Sequence, residues 1–419
     1  MTDETLKRQV RTARSQFVAM AAAYGLGTFN DSFFRQSAML LAVAGGHRHM
    51  QGWTMAVFAL PYLLFAAPAG WLADRFAKRR VVIAAKALEL AAMGCGTAGI
   101  LTGNWAFIMA MVFTMGLQSC LFSPALNGSI PELYPAVYVT RANAALKVVV
   151  TVAILTGISL SGLALSHKGA GWGGVSVGRW VVALTVVGIA AVGLLASLGV
   201  PRRPAAAPAA RFPWAGPVDT LRQLLEIRTD RLLAVVVVAD VFIWFIGSVL
   251  IPLINVLAME QLGRGEDLAG YMVGAEVVGI AVGGVVGSRL AVGRRWHRVL
   301  PAGTLGVGAV LAAMPAVPAL PTNLHLPAAF ALLALAGIAG GLVLVPAEAF
   351  VQVRPAAHRK GAVIAWVNFA VFAGILLSGP VANGLYAALR PTTAFGAVAA
   401  AAVAMGLWLW RTLAKEAGE

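Results

Sequence analysis

Residues 53–80 read WTMAVFALPYLLFAAPAGWLADRFAKRR, and this stretch decides the fold. Its first part, Trp53 to Ala73, is almost entirely apolar and reaches the roughly 20 residues that a helix needs to cross a bilayer. In the loop that follows, one acid, Asp74, stands among the bases Arg75, Lys78, Arg79 and Arg80. Basic loops beside apolar runs are typical of the cytoplasmic ends of membrane helices. The stretch therefore predicts a membrane span followed by a cytoplasmic loop.

The composition extends this prediction to the whole chain. Of its 419 residues, 59% are hydrophobic and only 12% are charged, and the mean hydropathy is +0.81. A soluble domain carries roughly a quarter of its residues as charged ones. Long apolar runs recur along the sequence, and backbone polar groups inside lipid must bond within their own segment, so the runs are helices. We expect an all-α membrane protein without catalytic residues, and not a soluble enzyme.

The apolar runs predict twelve spans in two groups of six. The first group comprises 15–44, 52–73, 81–102, 105–130, 142–165 and 179–200. The second comprises 232–258, 269–291, 299–319, 327–351, 361–386 and 392–411. We therefore expect an N-terminal six-helix half at 1–200, a linker at 201–231 and a C-terminal six-helix half at 232–419.

The basic residues predict the orientation. They stand at the ends of the apolar runs, so the net charge of +15 does not indicate a nucleic-acid partner. One set of connections holds most of them, including the N-terminal cluster Lys7 to Arg14 and the linker arginines. The excess of Lys and Arg in cytoplasmic loops then predicts that both termini and the linker are cytoplasmic. Within the linker, Val218 to Arg228 has helical spacing and could lie along the membrane surface.

The loop from Gly70 to Arg80 resembles the G-x-L-a-D-r-x-g-r-k/r loop of the major facilitator superfamily. A degraded second copy runs from Gly287 to Arg295, between spans eight and nine. The resemblance implies a fold of two six-helix halves with a midplane site between them and transport by alternating access. An acid among bases can lock such a loop onto a neighbouring helix end, which assigns a gating role to Asp74, Arg75, Arg79 and Arg80. The alternative is a plain positive-inside turn.

A second resemblance begins at FNDSFFRQ, residues 29–36, which is similar to the first span of bacterial lysophospholipid transporters. It is closer still to the transporter module fused to acyltransferase and acyl-ligase domains. Further matches are Lys86-Ala87-Leu88-Glu89, Gly116-Leu117-Gln118-Ser119, Arg141-Ala142-Asn143-Ala144 and Val345-Pro346-Ala347. The resemblance implies a transporter of lysophospholipid, or a similar amphiphile, in the bacterial inner membrane. An acyltransferase or acyl-ligase would be its functional partner, and we expect a monomer.

This chain also departs from the family pattern. Pro124-Ala125-Leu126-Asn127-Gly128 lacks the lysine that the family has at the end of span four. Lys147 stands where the family has a glutamate, and span seven carries Asp240 and no arginine. These differences imply a different headgroup chemistry.

Charges within the predicted spans indicate the functional site, because each is costly in lipid unless it is paired or hydrated. They are Asp31, Arg35, Lys86, Glu89, Lys147, Asp240, Glu276 and Glu348. With neighbouring polar and aromatic residues they give a predicted substrate site of Asn30, Asp31, Phe34, Arg35, Gln118, Asn127, Asn143, Lys147 and Glu276. The candidates for coupling to H⁺ or Na⁺ are Asp31, Asp240 and Glu276.

Spacing suggests how some of these charges interact. Asp31 and Arg35 are separated by one helical turn and could form a pair or serve the substrate. Lys86 and Glu89, three residues apart, favour a structural pair. Glu276 lies beside Gly279, Gly283 and Gly287, a stripe that suits close helix packing, and it could be a binding group or a buried neutral acid.

The internal repeat suggests a second gate. Pro346-Ala347-Glu348 corresponds to Pro124-Ala125-Leu126, which places Glu348 at the symmetry mate of the missing lysine. Lys147 lies about five residues into span five from its cytoplasmic end, so we hypothesise that Lys147 and Glu348 form an ion pair between the halves at the cytoplasmic gate. The alternative is that each side chain reaches separately to the membrane interface.

Two patterns carry no function. Gly169-Ala170-Gly171-Trp172-Gly173-Gly174 matches a dinucleotide motif but lies in a loop without a preceding strand. His47 and His49 have no further metal ligands nearby in sequence, so we expect neither a metal nor a cofactor. The rival functions are a proton-coupled exporter of drugs or metabolites, with Asp31 or Glu276 as the protonated group, and a non-transporting scaffold that recruits an acyltransferase through the basic linker.

Overall fold

The computed structural model describes residues 3–216, 218, 230–291, 296–355 and 360–417. Within these residues the chain forms twelve long α-helices and no β-strand. The first six are α1 (Asp3–Ala44), α2 (Met50–Arg75), α3 (Lys78–Thr102), α4 (Trp105–Leu133), α5 (Ala136–Leu165) and α6 (Val177–Ser197). The others are α7 (Arg231–Val256), α8 (Glu266–Leu290), α9 (Trp296–Leu311), α10 (Thr322–Val353), α11 (Lys360–Ala388) and α12 (Pro391–Ala417).

Among the described residues, eleven helices, α2 to α12, are long and apolar enough to cross a membrane. The remaining helix, α1, is long enough but more polar, because Asn30, Asp31, Arg35 and Gln36 interrupt its apolar residues. Many apolar side chains point outward, among them Val148, Leu184 and Leu195. Such a surface suits contact with lipid tails and not with water. The predicted all-α membrane fold is confirmed.

The contacts divide the chain into two compact units, and the first comprises Met1–Ala38 and Val57–Pro217. Within it α3 packs against both α4 and α6. Helix α5 approaches α1 at Gly157, where an added Cβ would lie 2.7 Å from the carbonyl oxygen of Phe29. Small residues permit this backbone contact between membrane helices. The contact fixes α1 just before its polar residues Asn30 and Asp31.

The second unit comprises Met39–Ala56 and Val218–Glu419, and its tightest seam joins α8 to α10. Along α8, Gly279, Gly283 and Gly287 each lie against the backbone of α10. From the other side, Gly337 and Gly341 of α10 lie against the backbone of α8. The small-residue stripe that the sequence indicates is therefore a helix-packing surface. Elsewhere in this unit α9 packs on α12, and α7 packs on α11.

The α1–α2 corner, Met39–Ala56, packs with the C-terminal helices in this second unit. Gln51 is fully buried and accepts a hydrogen bond from Nδ2 of Asn255, at 2.9 Å. Arg48 forms an ion pair with Glu260 at 3.0 Å, and its backbone carbonyl accepts a hydrogen bond from the Tyr386 hydroxyl. The corner is thus held by contacts to α7, to the π-helical turn Leu257–Gln261 and to α11.

Part of the linker lies against the end of α2 in the first unit. Arg75 donates hydrogen bonds to the carbonyl oxygens of Pro208 and Ala210, both at 2.9 Å. The Trp71 indole donates to the same Ala210 oxygen, and the Asp74 carbonyl accepts from the Ala207 amide. The linker backbone is therefore bonded to the predicted gating loop. Apart from Val218, the surface helix predicted at 218–228 falls outside the described residues.

Candidate functional site

A cluster of buried polar side chains lies in the first unit, centred on Asp31 of α1. The Ser119 hydroxyl donates a short hydrogen bond to Asp31 Oδ2, and Gln118 Nε2 donates to Oδ1 at 3.3 Å. Gln118 also donates to Ser119 Oγ at 2.7 Å. Asp31 is only 7% exposed. Because hydrogen bonds to a carboxylate compensate its lost hydration, these two α4 side chains allow Asp31 to occupy a membrane helix.

A second group, built on Lys86 and Glu89 of α3, lies beside the same helix. Lys86 Nζ and Glu89 Oε2 are 2.6 Å apart, with 2% and 0% of their side chains exposed. Asn30 of α1 donates from Nδ2 to Glu89 Oε1 at 3.3 Å and to the Val186 carbonyl oxygen of α6 at 3.0 Å. The predicted Lys86–Glu89 pair is confirmed.

Small and aromatic residues shape the space around the Lys86 ammonium. It lies 5.3 Å from the centre of the Phe122 ring, which stacks on Tyr24 at 5.6 Å. On α1 the residue facing this ammonium is Gly27, where any Cβ would collide with Nζ. A cation over an aromatic face is stabilised by the ring quadrupole. Gly27 therefore makes room for Lys86 one turn before Asn30 and Asp31.

Arg35 is placed differently from its i,i+4 neighbour Asp31. Its guanidinium lies over the Phe58 ring, 4.5 Å from the centroid. Neither an ion pair within 4.0 Å nor a hydrogen bond joins it to any described residue, and its side chain is partly accessible. The one-turn spacing therefore does not produce a direct salt bridge between the two. The guanidinium keeps its five N–H donors for another partner.

The other predicted site residues are divided between the two units. Phe34 is fully buried in the core of α1, whereas Asn143 and Lys147 are exposed on α5. Asn127 belongs to α4, but its side chain lies outside the described part of the structure. Glu276 belongs to the second unit, as does Asp240, and each is 3% exposed. Among the side chains of the predicted substrate site that the structure describes, Asn30, Asp31 and Gln118 are hydrogen-bonded into the polar cluster, with Arg35 beside it on α1.

The predicted gating residues have mixed environments. The Asp74 side chain is exposed and makes no hydrogen bond to a described residue, while Arg75 is bonded to the linker. Arg79 donates from Nη2 to the Leu198 carbonyl oxygen at 2.8 Å, which joins the loop to the end of α6, and Arg80 is exposed. Glu348 is half-buried in α10. The predicted lock at Asp74 and the Lys147–Glu348 pair stay predictions.

Three residues contribute to the cluster beyond the predicted substrate site. Ser119 lies in a matching motif without being a predicted site residue, yet its hydroxyl donates a hydrogen bond to Asp31. Lys86 and Glu89 are predicted as a structural pair, and Asn30 joins this pair to α1 through its hydrogen bond to Glu89. The available signal was the motif Gly116-Leu117-Gln118-Ser119, in which two adjacent polar residues interrupt an apolar span.

A surface depression in the second unit has no polar side chain in its lining. It measures about 540 Å³, lies in the second unit between Ala312 and α12, and is lined by alanine, glycine, valine and leucine. No group of three or more potential metal ligands occurs among the described residues. The depression could hold only apolar matter, so the polar cluster of the first unit is the better candidate site.

Bacterial relatives match this chain over most of its length. The lysophospholipid transporter LplT of Klebsiella pneumoniae subsp. pneumoniae is 30% identical over 413 residues, covering 94% of this chain and 95% of that protein. The lysophospholipid transporter LplT of Salmonella arizonae is 31% identical over 367 residues, covering 85% of each chain.

Solved structures of similar fold are transporters of other kinds. A D-xylose–proton symporter superposes with a TM-score of 0.71 and 16% identity, covering 94% of this chain and 97% of that one. A bacterial homolog of the human lysosomal transporter Spinster gives 0.69 and 16%, covering 96% and 95%. Residues 15–258 match the family description of the Major Facilitator Superfamily. This chain is a membrane transporter that belongs to the Major Facilitator Superfamily and, within it, to the family of the bacterial lysophospholipid transporters.

Proposed function

We propose that this protein moves a lysophospholipid across a bacterial inner membrane by alternating access between two six-helix halves. The observation that carries the proposal is the charge-balanced polar cluster of the first unit. It combines two acids, Asp31 and Glu89, with two bases, Lys86 and Arg35, inside membrane helices. The names of the relatives support the same substrate class.

The cluster offers separate partners for a zwitterionic headgroup. Arg35 has free donors and partial access, and a guanidinium matches the geometry of a phosphate. Asp31, oriented by Ser119 and Gln118, would receive an ammonium group. Lys86 and Glu89 neutralise each other and would set the field around the site. The acyl tail would remain against apolar walls or lipid, because moving it into water costs about 0.8 kcal/mol per CH₂.

The remaining assignments follow from this proposal. Both termini and the linker would be cytoplasmic, the halves would be 1–200 and 232–419, and the chain would act as a monomer. The loop at Asp74 and the pair Lys147–Glu348 would close the cytoplasmic gate. Transport from the outer to the inner leaflet would supply a cytoplasmic acyltransferase or acyl-ligase, which re-acylates the lysolipid.

A flip assay tests the proposal. Purified protein in proteoliposomes is given lysophosphatidylethanolamine with a fluorescent acyl chain, and its transfer between leaflets is timed. We expect Arg35→Gln to lower the rate roughly 10- to 150-fold, because hydrogen bonds to a charged group contribute about 1.5–3 kcal/mol. We expect Asp31→Asn to abolish transport. Arg264→Gln, in an exposed loop, is the matched control.

Three outcomes of the assay would contradict parts of the proposal. Wild-type protein that flips no lysolipid but exports a cationic drug would favour the proton-coupled exporter. Protein that transports neither would favour the scaffold. Correctly folded Arg35→Gln protein with wild-type flipping would remove Arg35 from the headgroup site.

A further inference from the structure

Part of the linker runs back along α2, away from the end of that helix. The Ala207 amide donates a hydrogen bond to the Asp74 carbonyl oxygen near the end of α2, at 2.8 Å. Further along the linker, an added Cβ on Gly216 would lie 2.5 Å from the Cβ of Ala67. Ala67 precedes Asp74 by seven residues, which is about 10 Å along a helix at 1.5 Å per residue. Between these two contacts the linker therefore follows α2 for about two helical turns.

The second of these contacts lies at membrane depth. Helix α2 has 26 residues, so it is about 39 Å long, whereas the hydrocarbon core is about 30 Å thick. A centred span of this length extends about 4–5 Å beyond the hydrocarbon at each end. Ala67 lies about 12 Å before Arg75, the last residue of α2. Gly216 is therefore level with the outer hydrocarbon, and Trp214 is level with the boundary between acyl chains and headgroups.

The aromatic side chains of this segment face outward. Trp214 is 89% exposed and Phe212 is 38% exposed. The Phe212 ring packs edge-on against Trp71 of α2, with centroids 5.1 Å apart, and against Trp214 at 4.8 Å. Trp71 also donates from its indole to the Ala210 carbonyl oxygen, at 3.0 Å. Tryptophan is enriched at membrane–water interfaces, because its ring is apolar and its N–H is polar.

The charge of the same segment has one sign. Residues 201–216 contain the three arginines Arg202, Arg203 and Arg211 and no acid. All three arginine side chains are exposed. Basic residues beside a membrane are attracted to anionic lipid headgroups. A guanidinium also matches the geometry of a phosphate. The chemistry that complements this surface is therefore a bilayer with anionic headgroups.

We propose that the segment Arg211–Trp214 is a membrane anchor. Phe212 and Trp214 insert at the boundary between acyl chains and headgroups, and Arg211 binds lipid phosphates. The hydrogen bonds from Trp71 and to Asp74 hold the anchor against α2. The anchor does not depend on which substrate the protein transports. Its assignment to the cytoplasmic leaflet rests on the orientation given under the proposed function.

A fluorescent reporter beside Trp214 tests the insertion. In full-length protein without Cys95 and Cys120, Ala215→Cys carries an environment-sensitive dye, because Ala215 is exposed. The protein is placed in vesicles that contain phosphatidylglycerol. We expect quenching by lipids with a nitroxide on the acyl chain, and protection from iodide in the water. The same dye at Ala206→Cys, in the linker beyond the contact with Asp74, should show the reverse. A dye at Leu184→Cys, an exposed side chain of α6, gives the value for full lipid contact.

Variants of the anchor test its two parts. Trp214→Asp should move the dye at Ala215→Cys from lipid into water. Trp172→Ser is the matched control, since this tryptophan is 84% exposed in the connection between α5 and α6. We expect Arg211→Gln to raise the ratio of iodide-accessible to protected dye roughly fivefold, the change expected for one basic residue near an anionic surface. Phosphatidylcholine alone, or high salt, should remove this difference.

The outcomes are distinct from those of the flip assay. A dye at Ala215→Cys that iodide quenches and nitroxide lipids do not would overturn the anchor and leave the surface to a protein partner. Equal quenching at Ala215→Cys in wild-type and Trp214→Asp backgrounds would also overturn it. Neither result concerns lysolipid transport, and a chain that flips no lysolipid can still insert this segment.

Discussion

Lys86 and Glu89 form an ion pair that is buried in the folded protein, so both charges lose their hydration on folding. The two side chains are 2% and 0% exposed, and the 2.6 Å contact lies in the interior of the first unit. The electrostatic attraction within such a buried pair offsets only part of the free energy that desolvation of the two charges costs. The presence of the pair alone therefore does not imply high stability. Removing one partner strongly destabilises the folded protein, because the remaining side chain is left as a buried, uncompensated charge. The pair also holds the Glu89 carboxylate in position to accept the hydrogen bond from Asn30.

We therefore expect strong non-additivity at this pair. Lys86→Met or Glu89→Met alone should lower the free energy of unfolding by about 3–5 kcal/mol, and the double variant should cost less than either single change. Asn30 should keep its hydrogen bond to the Val186 carbonyl oxygen in each variant, because neither changed side chain makes that bond. Denaturant unfolding in detergent measures the three values. Costs that simply add would show that the two charges do not depend on each other.

Spacing along one helix predicts pairs only where tertiary contacts do not compete. Lys86 and Glu89 have no closer partners for their charges and meet as the i,i+3 rule implies. Asp31 and Arg35 have the equally suitable i,i+4 spacing, but Ser119 binds the acid and Phe58 receives the base. Those competitors lie on α4 and α2. Single-sequence reasoning cannot supply them, because it does not reveal which helices are neighbours.

At the scale of elements, the start of α7 has a cap that responds to pH. Asp230 Oδ1 accepts a hydrogen bond from the Leu233 amide at 3.1 Å, and Asp230 Oδ2 forms an ion pair with Arg354 Nε at 3.0 Å. Burial alone would raise the pKa of Asp230, but the bonds from Arg354 and Leu233 outweigh it, and the pKa lies below its ordinary value. The charged cap therefore contributes its full stabilisation of the folded protein at pH values above the ordinary pKa of an aspartate.

Removing this cap should have a cost that depends on pH. Asp230→Ala should lower stability by about 0.5–2 kcal/mol near neutral pH, the usual value of an N-cap. Because the folded pKa is depressed, the difference from wild type should persist above about pH 4 and shrink as pH falls through the folded pKa. Asn104→Ala, which removes the uncharged cap of α4, should cost a similar amount at every pH. Parallel pH curves for the two variants would contradict the assignment.

Element positions were largely predictable, and the exceptions have local causes. The hydropathy predicts a span at 232–258, and α7 covers Arg231–Val256. The span predicted at 299–319 is confirmed as the apolar segment Trp296–Ala319, within which α9 ends at Leu311 and the 3₁₀ segment Met314–Ala319 follows. Pro315 and Pro318 cannot donate the backbone hydrogen bonds that would continue α9. The glycine stripe of α8 predicts close packing, but the sequence does not identify α10 as the partner.

At the scale of the whole molecule, the α1–α2 corner groups with the C-terminal helices although it precedes them in sequence by some 200 residues. Hydropathy and basic loops report where the chain crosses the membrane and say nothing of such contacts. The corner relies on a close approach: an added Cβ on either Gly52 or Gly379 would collide with the carbonyl oxygen of the other. Buried Gln51 then reaches Asn255.

A side chain at Gly379 should therefore force the corner away from α11. In a background without Cys95 and Cys120, Gln51→Cys reports the contact through its reaction with a membrane-impermeant maleimide, because Gln51 is fully buried. We expect Gly379→Val to raise the labelling rate roughly 5- to 150-fold, since overpacking a close contact costs about 1–3 kcal/mol. Gly384→Val is the matched control, because no atom lies within 4 Å of a Cβ added there in the same helix. Equal labelling in the two variants would mean that the corner does not depend on the Gly52–Gly379 contact.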